Sequence, residues 1–246
     1  MLVREFGFRV IAPDPPGHGR SPPLAPEEYL PSGLARVAAE LLDAFGVAES
    51  VFVGFSVGAD VACAFGAGYP GRTTAPVLVD GGYWDFADLP DFDVDAGLAI
   101  RVARAREQAS EEVYPDWEAY FDYERAAIGR WSPELEAAHR ATMCERDGHV
   151  EPIITPETVG GIRHGNCLEP TVSTQTALRD AGLPVLLLTP ARHGQREALA
   201  RAGIERFRFN VPQLEVQELP TDVHDLVSNA GPDLAVRIGS WLTRRR

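Results

Sequence analysis

Lysine is absent from this sequence of 246 residues, and all 23 basic side chains are arginines. They stand against 36 aspartates and glutamates, which leaves a formal net charge of −13 at pH 7. A negative chain is repelled by nucleic-acid phosphates and by anionic lipid surfaces. We therefore expect neither nucleic acid nor a membrane as a partner, and the composition leaves the oligomeric state open.

Cysteine is also scarce, since the chain contains only Cys63, Cys144 and Cys167. Three scattered cysteines form neither a disulfide framework nor a zinc site, which indicates a reducing, cytoplasmic setting. No apolar run approaches the ~20 residues of a membrane-spanning helix, and the first residues lack the layout of a signal peptide. We expect no metal or cofactor, because four of the histidines lack metal-ligand spacing: His139, His149, His164 and His193.

The most informative motif is Gly54-Phe55-Ser56-Val57-Gly58, which joins an apolar run to a helix of small residues. A G-x-S-x-G sequence between a strand and a helix is typical of a nucleophile elbow. Glycines suit such a turn because a Cβ there would collide with the adjoining strand or helix. The pattern predicts Ser56 as the nucleophile and the Val57 amide as a donor to an oxyanion. The alternative is a serine in an ordinary turn.

Strand and helix patterns alternate along most of the chain. Apolar runs predict five strands, at Phe8–Pro13, Val51–Val53, Pro76–Asp80, Pro184–Thr189 and Leu214–Leu219. Besides the helix after the elbow, apolar spacing predicts a helix from Ser32 to Phe45, ended by Gly46, and another over Pro232–Thr243. Alternation of this kind predicts a mostly parallel α/β sheet flanked by helices.

The middle of the chain has a different character. Residues 88–183 contain three helical patterns and no comparable strand pattern: Asp95–Glu112, Asp116–Arg130 and Ser132–Arg146. We interpret residues 88–183 as a helical cap inserted into a core of residues 1–87 and 184–246.

Three segments together resemble the α/β-hydrolase family with a cap: Val10–Ser21, the elbow Gly54–Gly58 and the tail Leu219–Trp241. The resemblance covers essentially the whole chain. It implies acyl transfer through a covalent serine ester, with no cofactor. It also implies that His224, between a strand and the last helix, is the catalytic base.

The chain departs from the family pattern near Met1, because it starts almost at the family's fourth strand. The resemblance thus implies that strands 4–8 are present and strands 1–3 are not. It also implies that the His-Gly turn, which supplies a second oxyanion donor, is missing. Either Phe8–Pro13 pairs with Val51–Val53, or the sheet has an open seam. Whether Met1 is the true start is left open.

A second departure concerns the triad acid. Family members usually carry an aspartate after the strand that corresponds to Pro184–Thr189, but no carboxylate follows here until Glu197. His193 falls near the usual position and cannot serve as the acid. Some family members take the acid from the end of the preceding core strand, which here is Asp80. Asp85 is the alternative acid.

The predicted function is a serine hydrolase that cleaves an ester or related acyl bond of a small, fairly apolar substrate. Its substrate pocket is predicted to include four aromatic residues, Phe55, Trp84, Trp117 and Phe121, although ordinary packing is the alternative for the cap aromatics. The competing interpretation is a catalytically impaired remnant, or a ligand-binding protein of the same fold.

Overall fold

The computed structural model describes residues 1–90, 92–192 and 195–245. The described residues form ten α-helices: α1 (Leu2–Phe6), α2 (Pro31–Ala44), α3 (Val57–Gly68), α4 (Leu98–Glu111), α5 (Trp117–Ala127), α6 (Pro133–Arg140), α7 (Pro156–Leu168), α8 (Val172–Asp180), α9 (Gln195–Asn210) and α10 (Leu226–Thr243). They also form six strands: β1 (Ser50–Phe55), β2 (Thr73–Val79), β3 (Met143–Arg146), β4 (His149–Pro152), β5 (Val185–Pro190) and β6 (Leu214–Leu219). Short 3-10 helices occur at Pro26–Glu28, Pro70–Arg72 and Phe86–Asp88.

The chain divides into two compact units. The sheet unit comprises Tyr29–Ala96 and His164–Leu226, and the helical unit comprises Met1–Glu28, Gly97–Arg163 and the residues from Val227 onward. These boundaries differ from those of the predicted core and cap, whose division stays a prediction. Among the described residues, no helix is both long enough and apolar enough to cross a membrane.

A four-stranded parallel sheet in the order β1-β2-β5-β6 forms the centre of the sheet unit. All six residues of β5 are buried, and so are six of the seven residues of β2. Strands covered on both faces read as continuous apolar runs, which explains why both were visible in the sequence. The edge strands β1 and β6 are mostly half-buried. The predicted α/β class is therefore confirmed.

Helix α3 packs on this sheet through small side chains. Ala59, Ala62 and Cys63 on this helix are fully buried in the main core cluster. A Cβ added at Gly66 would lie 2.6 Å from the Leu178 side chain and 2.9 Å from that of Pro76. The absence of a side chain at Gly66 thus allows α3 to approach β2 and α8 closely.

The strand predicted at Phe8–Pro13 is wrong. This segment has no regular secondary structure, and Val10 is 49% exposed. Pro13 has no backbone N–H, and a strand gains its hydrogen bonds only where a neighbouring strand pairs with it. The predicted pairing of Phe8–Pro13 with Val51–Val53 is therefore also wrong, and β1 is an edge of the sheet, because it pairs with β2 alone among the described strands.

The helical unit contains an antiparallel hairpin that the sequence analysis missed. Strands β3 and β4 pair from Met143↔Pro152 to Arg146↔His149. The turn between them contains Asp147 and Gly148, both with positive φ (51° and 78°). Asp-Gly is a strong signal for a two-residue hairpin turn. The helix predicted over Ser132–Arg146 is consequently confined to α6, whose first turn is capped by the Ser132 hydroxyl.

Four described helices lie where no helix was predicted, namely α1, α7, α8 and α9. The last helix begins at Leu226 rather than at Pro232, and non-helical backbone at Ala230 kinks it. Proline fits the first turn of a helix, so the segment after the kink begins where the sequence indicated.

Candidate active site

Ser56 occupies a strained turn between β1 and α3. Its backbone has φ 53° and ψ −122°, which is rare for a residue with a side chain. Its amide donates a hydrogen bond of 2.9 Å to the Val79 carbonyl at the end of the neighbouring strand. The turn therefore holds the serine at the carboxyl end of the sheet, as expected for a nucleophile elbow.

Two close backbone approaches make this turn possible. A Cβ at Gly54 would lie 1.9 Å from the Gly58 carbonyl oxygen, and one at Gly81 would lie 2.2 Å from the Ser56 carbonyl oxygen. A Cβ at Gly58 would meet nothing within 4 Å. The predicted steric reason thus holds for Gly54 and is wrong for Gly58. Gly81, just after β2, has the second steric role, which the motif did not reveal.

Ser56, His224 and Asp80 form a continuous hydrogen-bonded series. His224 lies between β6 and α10, and its Nε2 is 3.0 Å from Ser56 Oγ. Its Nδ1 is 2.6 Å from Asp80 Oδ2. A carboxylate accepts only, so we assign the imidazole proton to Nδ1, which leaves Nε2 free to accept from the serine hydroxyl. The imidazole remains accessible, since the His224 side chain is 46% exposed.

Asp80 directly follows β2, and its side chain is 0% exposed. Its amide donates a hydrogen bond of 2.8 Å to the Leu188 carbonyl of β5. Tyr83 Oη donates to Asp80 Oδ1 at 2.8 Å, and Arg192 donates to Oδ2. Burial raises the pKa of Asp80, but hydrogen bonds from His224, Arg192 and Tyr83 outweigh burial and hold this pKa below its usual value. The carboxylate is therefore ionised at neutral pH.

A cavity of about 220 Å³ adjoins the Ser56–His224 pair, and Val57 lines it at the start of α3. Its described lining residues all belong to the sheet unit. Besides Val57, the large apolar side chains of the described lining are Trp84, Phe86 and Leu89. Of the predicted pocket residues, Trp84 lies on the cavity, whereas the Phe55 ring contacts His224 with ring centroids 5.0 Å apart.

The other two predicted pocket residues lie on α5 in the helical unit. The Trp117 and Phe121 rings stack with centroids 5.7 Å apart, and the Arg140 guanidinium lies 4.3 Å from the Trp117 ring centre. They belong to a cluster that includes the buried Tyr120. Neither is among the described lining residues, and their part in substrate binding stays a prediction.

Asp60 is a polar lining residue that the sequence analysis did not single out. Its carboxylate accepts hydrogen bonds from Thr171 Oγ1 at 2.6 Å and Asn166 Nδ2 at 2.7 Å. Burial raises its pKa to about 7, with a smaller contribution from the nearby charge of Asp85, and the hydrogen bonds only partly oppose this rise. Asp60 follows Ser56 by one helical turn, and helical spacing from the nucleophile was the available signal.

The sequence pattern of the alpha/beta hydrolase fold matches residues 2–124. The chain belongs to the alpha/beta hydrolase family. Within the described residues, no group of three or more histidines, cysteines, aspartates or glutamates is placed to hold a metal ion.

Relatives of this alpha/beta hydrolase carry several functional names. A protein of Mycobacterium phage D29 with a non-heme haloperoxidase name is 34% identical over 119 residues, covering 47% of this chain and 42% of the phage protein. A 2-hydroxy-6-oxononadienedioate/2-hydroxy-6-oxononatrienedioate hydrolase of Burkholderia vietnamiensis is 40% identical over 76 residues, covering 31% of this chain and 26% of that protein. The matches thus span less than half of either relative.

Solved structures show the same fold at lower identity. A thermophilic esterase from Thermogutta terrifontis superimposes with a TM-score of 0.68 at 21% identity, covering 99% of this chain and 82% of that chain. At this identity the likeness shows the fold alone.

In this alpha/beta hydrolase, Asp80 rather than Asp85 contacts His224. Asp85 Oδ1 accepts the Thr171 amide at 2.6 Å, and Asp85 caps the short helix Phe86–Asp88. His193 lies outside the described residues. Arg192 follows β5, where the family resemblance implies a carboxylate, and its side chain contacts Asp80.

Proposed function

We propose that this protein is a serine hydrolase that cleaves an ester or related acyl bond through a covalent serine ester. The observation that carries the proposal is the series from Asp80 through His224 to Ser56, with the serine on a strained turn beside a cavity. A nucleophile, a base within hydrogen-bond reach and a group that orients the base are the requirements for this chemistry.

In the proposed reaction, His224 Nε2 removes the hydroxyl proton as Ser56 Oγ attacks the acyl carbon. The Val57 amide at the start of α3 stabilises the negative oxygen that forms. The imidazolium then protonates the leaving group, and a serine ester remains. Water, activated by the same imidazole, attacks this ester and releases the acid and free Ser56. Asp80 orients the ring and stabilises its charged form throughout.

The cavity supports a small, uncharged substrate. Trp84, Phe86 and Leu89 give it an apolar surface, and its volume suits a small acyl group. Asp60 and Asp85 also line it, whereas none of the described lining residues is an arginine. With no arginine among its described lining residues, the cavity offers no guanidinium to pair with a substrate carboxylate, so we expect neutral esters to be preferred over substrates that carry a carboxylate.

Hydrolysis of p-nitrophenyl acetate and butyrate tests the proposal. Ser56→Ala and His224→Ala should each lower kcat on the order of 10⁴- to 10⁶-fold, because the residues act as a unit. Ser110→Ala is the matched control, since the Ser110 hydroxyl donates to the Glu107 carbonyl on its own helix, α4. Equal turnover by folded Ser56→Ala and native protein would contradict the proposal. A folded protein that binds these esters without turnover would support the ligand-binding alternative.

A further inference from the structure

Arg192 is a buried cation in direct contact with the candidate triad acid. It follows β5 by two residues, and its guanidinium lies 5.4 Å from the centre of the Trp84 ring. Its Nη2 donates to Asp80 Oδ2. Only 5% of the Arg192 side chain is exposed, and Arg192 is not among the described cavity-lining residues. The guanidinium therefore acts on the carboxylate and does not face the substrate cavity.

Stability alone explains this arrangement poorly. Buried ion pairs contribute little net stability, because desolvation of both charges offsets their attraction. Within the described residues, Arg192 Nε is also buried without a hydrogen-bond partner, which adds a further cost. An apolar side chain of similar volume at position 192 would avoid the cost of burying the guanidinium. It would, however, leave the buried Asp80 carboxylate without its cationic partner. The arginine is thus tied to the carboxylate that contacts His224.

The position of the contact determines its electrostatic effect. Arg192 and His224 both donate to the same oxygen, Asp80 Oδ2, while Tyr83 donates to Oδ1. His224 itself contacts Asp80 at Nδ1 and the Ser56 hydroxyl at Nε2, and the carboxyl groups of Asp60 and Asp85 line the same cavity. The positive charge of the guanidinium partly offsets the negative charge of Asp80 Oδ2. The carboxylate then stabilises a protonated His224 imidazole less strongly.

We propose that Arg192 is a positioning residue that fixes Asp80 Oδ2 for His224 and keeps the imidazole unprotonated, and therefore active as a base, at lower pH than Asp80 alone would allow. This role in catalysis rests on the hydrolase function proposed above. The electrostatic effect on His224 is a property of the folded protein and holds whether or not the protein turns over an ester.

The test compares Arg192→Gln, Arg192→Lys and Tyr83→Phe with the native protein. With an uncharged ester, the acid-side midpoint of the kcat/KM profile should rise by about 1 pH unit in Arg192→Gln, the scale expected for removal of an adjacent charge. Arg192→Lys keeps the charge and should stay within ~0.3 pH unit of the native midpoint. Tyr83→Phe is the matched control, because it removes a donor from the same carboxylate without removing a charge, and it should shift the midpoint by less than half as much as Arg192→Gln. KM should stay near the native value in all three variants.

A second readout separates this inference from the hydrolase proposal. Nitrogen-15 NMR of the histidine rings follows the titration of His224 directly, with His224→Ala identifying its signals among the six histidines. If the NMR midpoint of His224 rises in Arg192→Gln but no ester is hydrolysed even by the native protein, the role of Arg192 is supported and the proposed hydrolase function is refuted. Turnover with unchanged midpoints in both readouts would overturn the inference, even if the variants were less heat-stable. If Arg192→Gln does not fold, a rise of a full unit in folded Arg192→Lys contradicts the charge effect, and a native midpoint supports it.

Discussion

Replacement of Asp60 by asparagine should stabilise the protein at neutral and alkaline pH. Burial and the charge of Asp85 raise the pKa of Asp60 from 3.8 to about 7 in the folded protein, while the unfolded chain retains an ordinary aspartate. The folded state thus holds a proton that the unfolded state has released between these two values. The contribution of this proton to the free energy of unfolding is fully present below the pKa of Asp60 in the unfolded chain, and it is lost as pH rises through the pKa of Asp60 in the folded protein.

The size of the effect follows from the shift. A difference of about 3 pKa units corresponds to about 4 kcal/mol of unfolding free energy, at about 1.4 kcal/mol per unit. Asparagine has nearly the same shape and stays neutral, and its amide can still pair with Thr171 and Asn166 once their donors rotate. At pH 8, Asp60→Asn should therefore exceed the native protein by about 2–4 kcal/mol, and near pH 4.5 by less than ~1 kcal/mol.

Urea unfolding at pH 4.5, 6 and 8, followed by circular dichroism, measures this difference. Asp95→Asn is the matched control, because Asp95 is exposed and the same charge is removed from the surface. Its difference from the native protein should stay within ~0.5 kcal/mol at every pH. An Asp60→Asn advantage that does not grow between pH 4.5 and 8 would refute the reasoning, since only a proton held by the folded state produces that slope.

Three further substitutions test the geometry. Gly54→Ala should prevent formation of the elbow and abolish activity, because a Cβ at this position collides with the Gly58 carbonyl oxygen. Gly58→Ala should keep the native circular dichroism spectrum and melting temperature, because a Cβ there meets no atom within 4 Å. Equal effects of the two substitutions would contradict this steric argument. Asp80→Asn should lower kcat on the order of 10³- to 10⁴-fold with a native fold, and a loss below tenfold would exclude Asp80 as the acid. Gly148→Ala should lower stability by about 1 kcal/mol in thermal unfolding, since φ is 78° there, and no change would contradict the positive-φ turn.

The fold was predictable from the sequence where burial on both faces of a strand requires a continuous apolar run. The runs that became β2 and β5 lie in the sheet interior, and their apolar residues are continuous for that reason. Phe8–Pro13 has a similar apolar composition, but no neighbouring strand pairs with it. The composition of one segment does not reveal whether such a neighbour exists. The Asp147-Gly148 turn indicates the β3–β4 hairpin, but the helical pattern of Ser132–Arg146 continues up to that turn and overlaps β3.

The candidate site was predictable only in part. The elbow is local in sequence, so Ser56 was evident from its neighbours, and the family resemblance indicated His224. The resemblance also indicated Asp80, with Asp85 as the alternative, and only the folded chain shows which of the two contacts His224, because 144 residues separate Asp80 from that histidine. Arg192 lies 112 residues from Asp80 and belongs to no motif, so only the folded chain brings it to the carboxylate.

Fluorophosphonate labelling tests the central claim most directly, because it requires an activated serine and no knowledge of the substrate. The protein is labelled, its intact mass is measured, and the modified peptide is identified by mass spectrometry, with Ser56→Ala, His224→Ala and Ser110→Ala in parallel. We predict one label per chain on Ser56 in the native protein and in Ser110→Ala, and no label in the other two variants. An unlabelled Ser56 in folded native protein, or undiminished labelling in His224→Ala, would contradict the assignment of Ser56 and His224 as nucleophile and base.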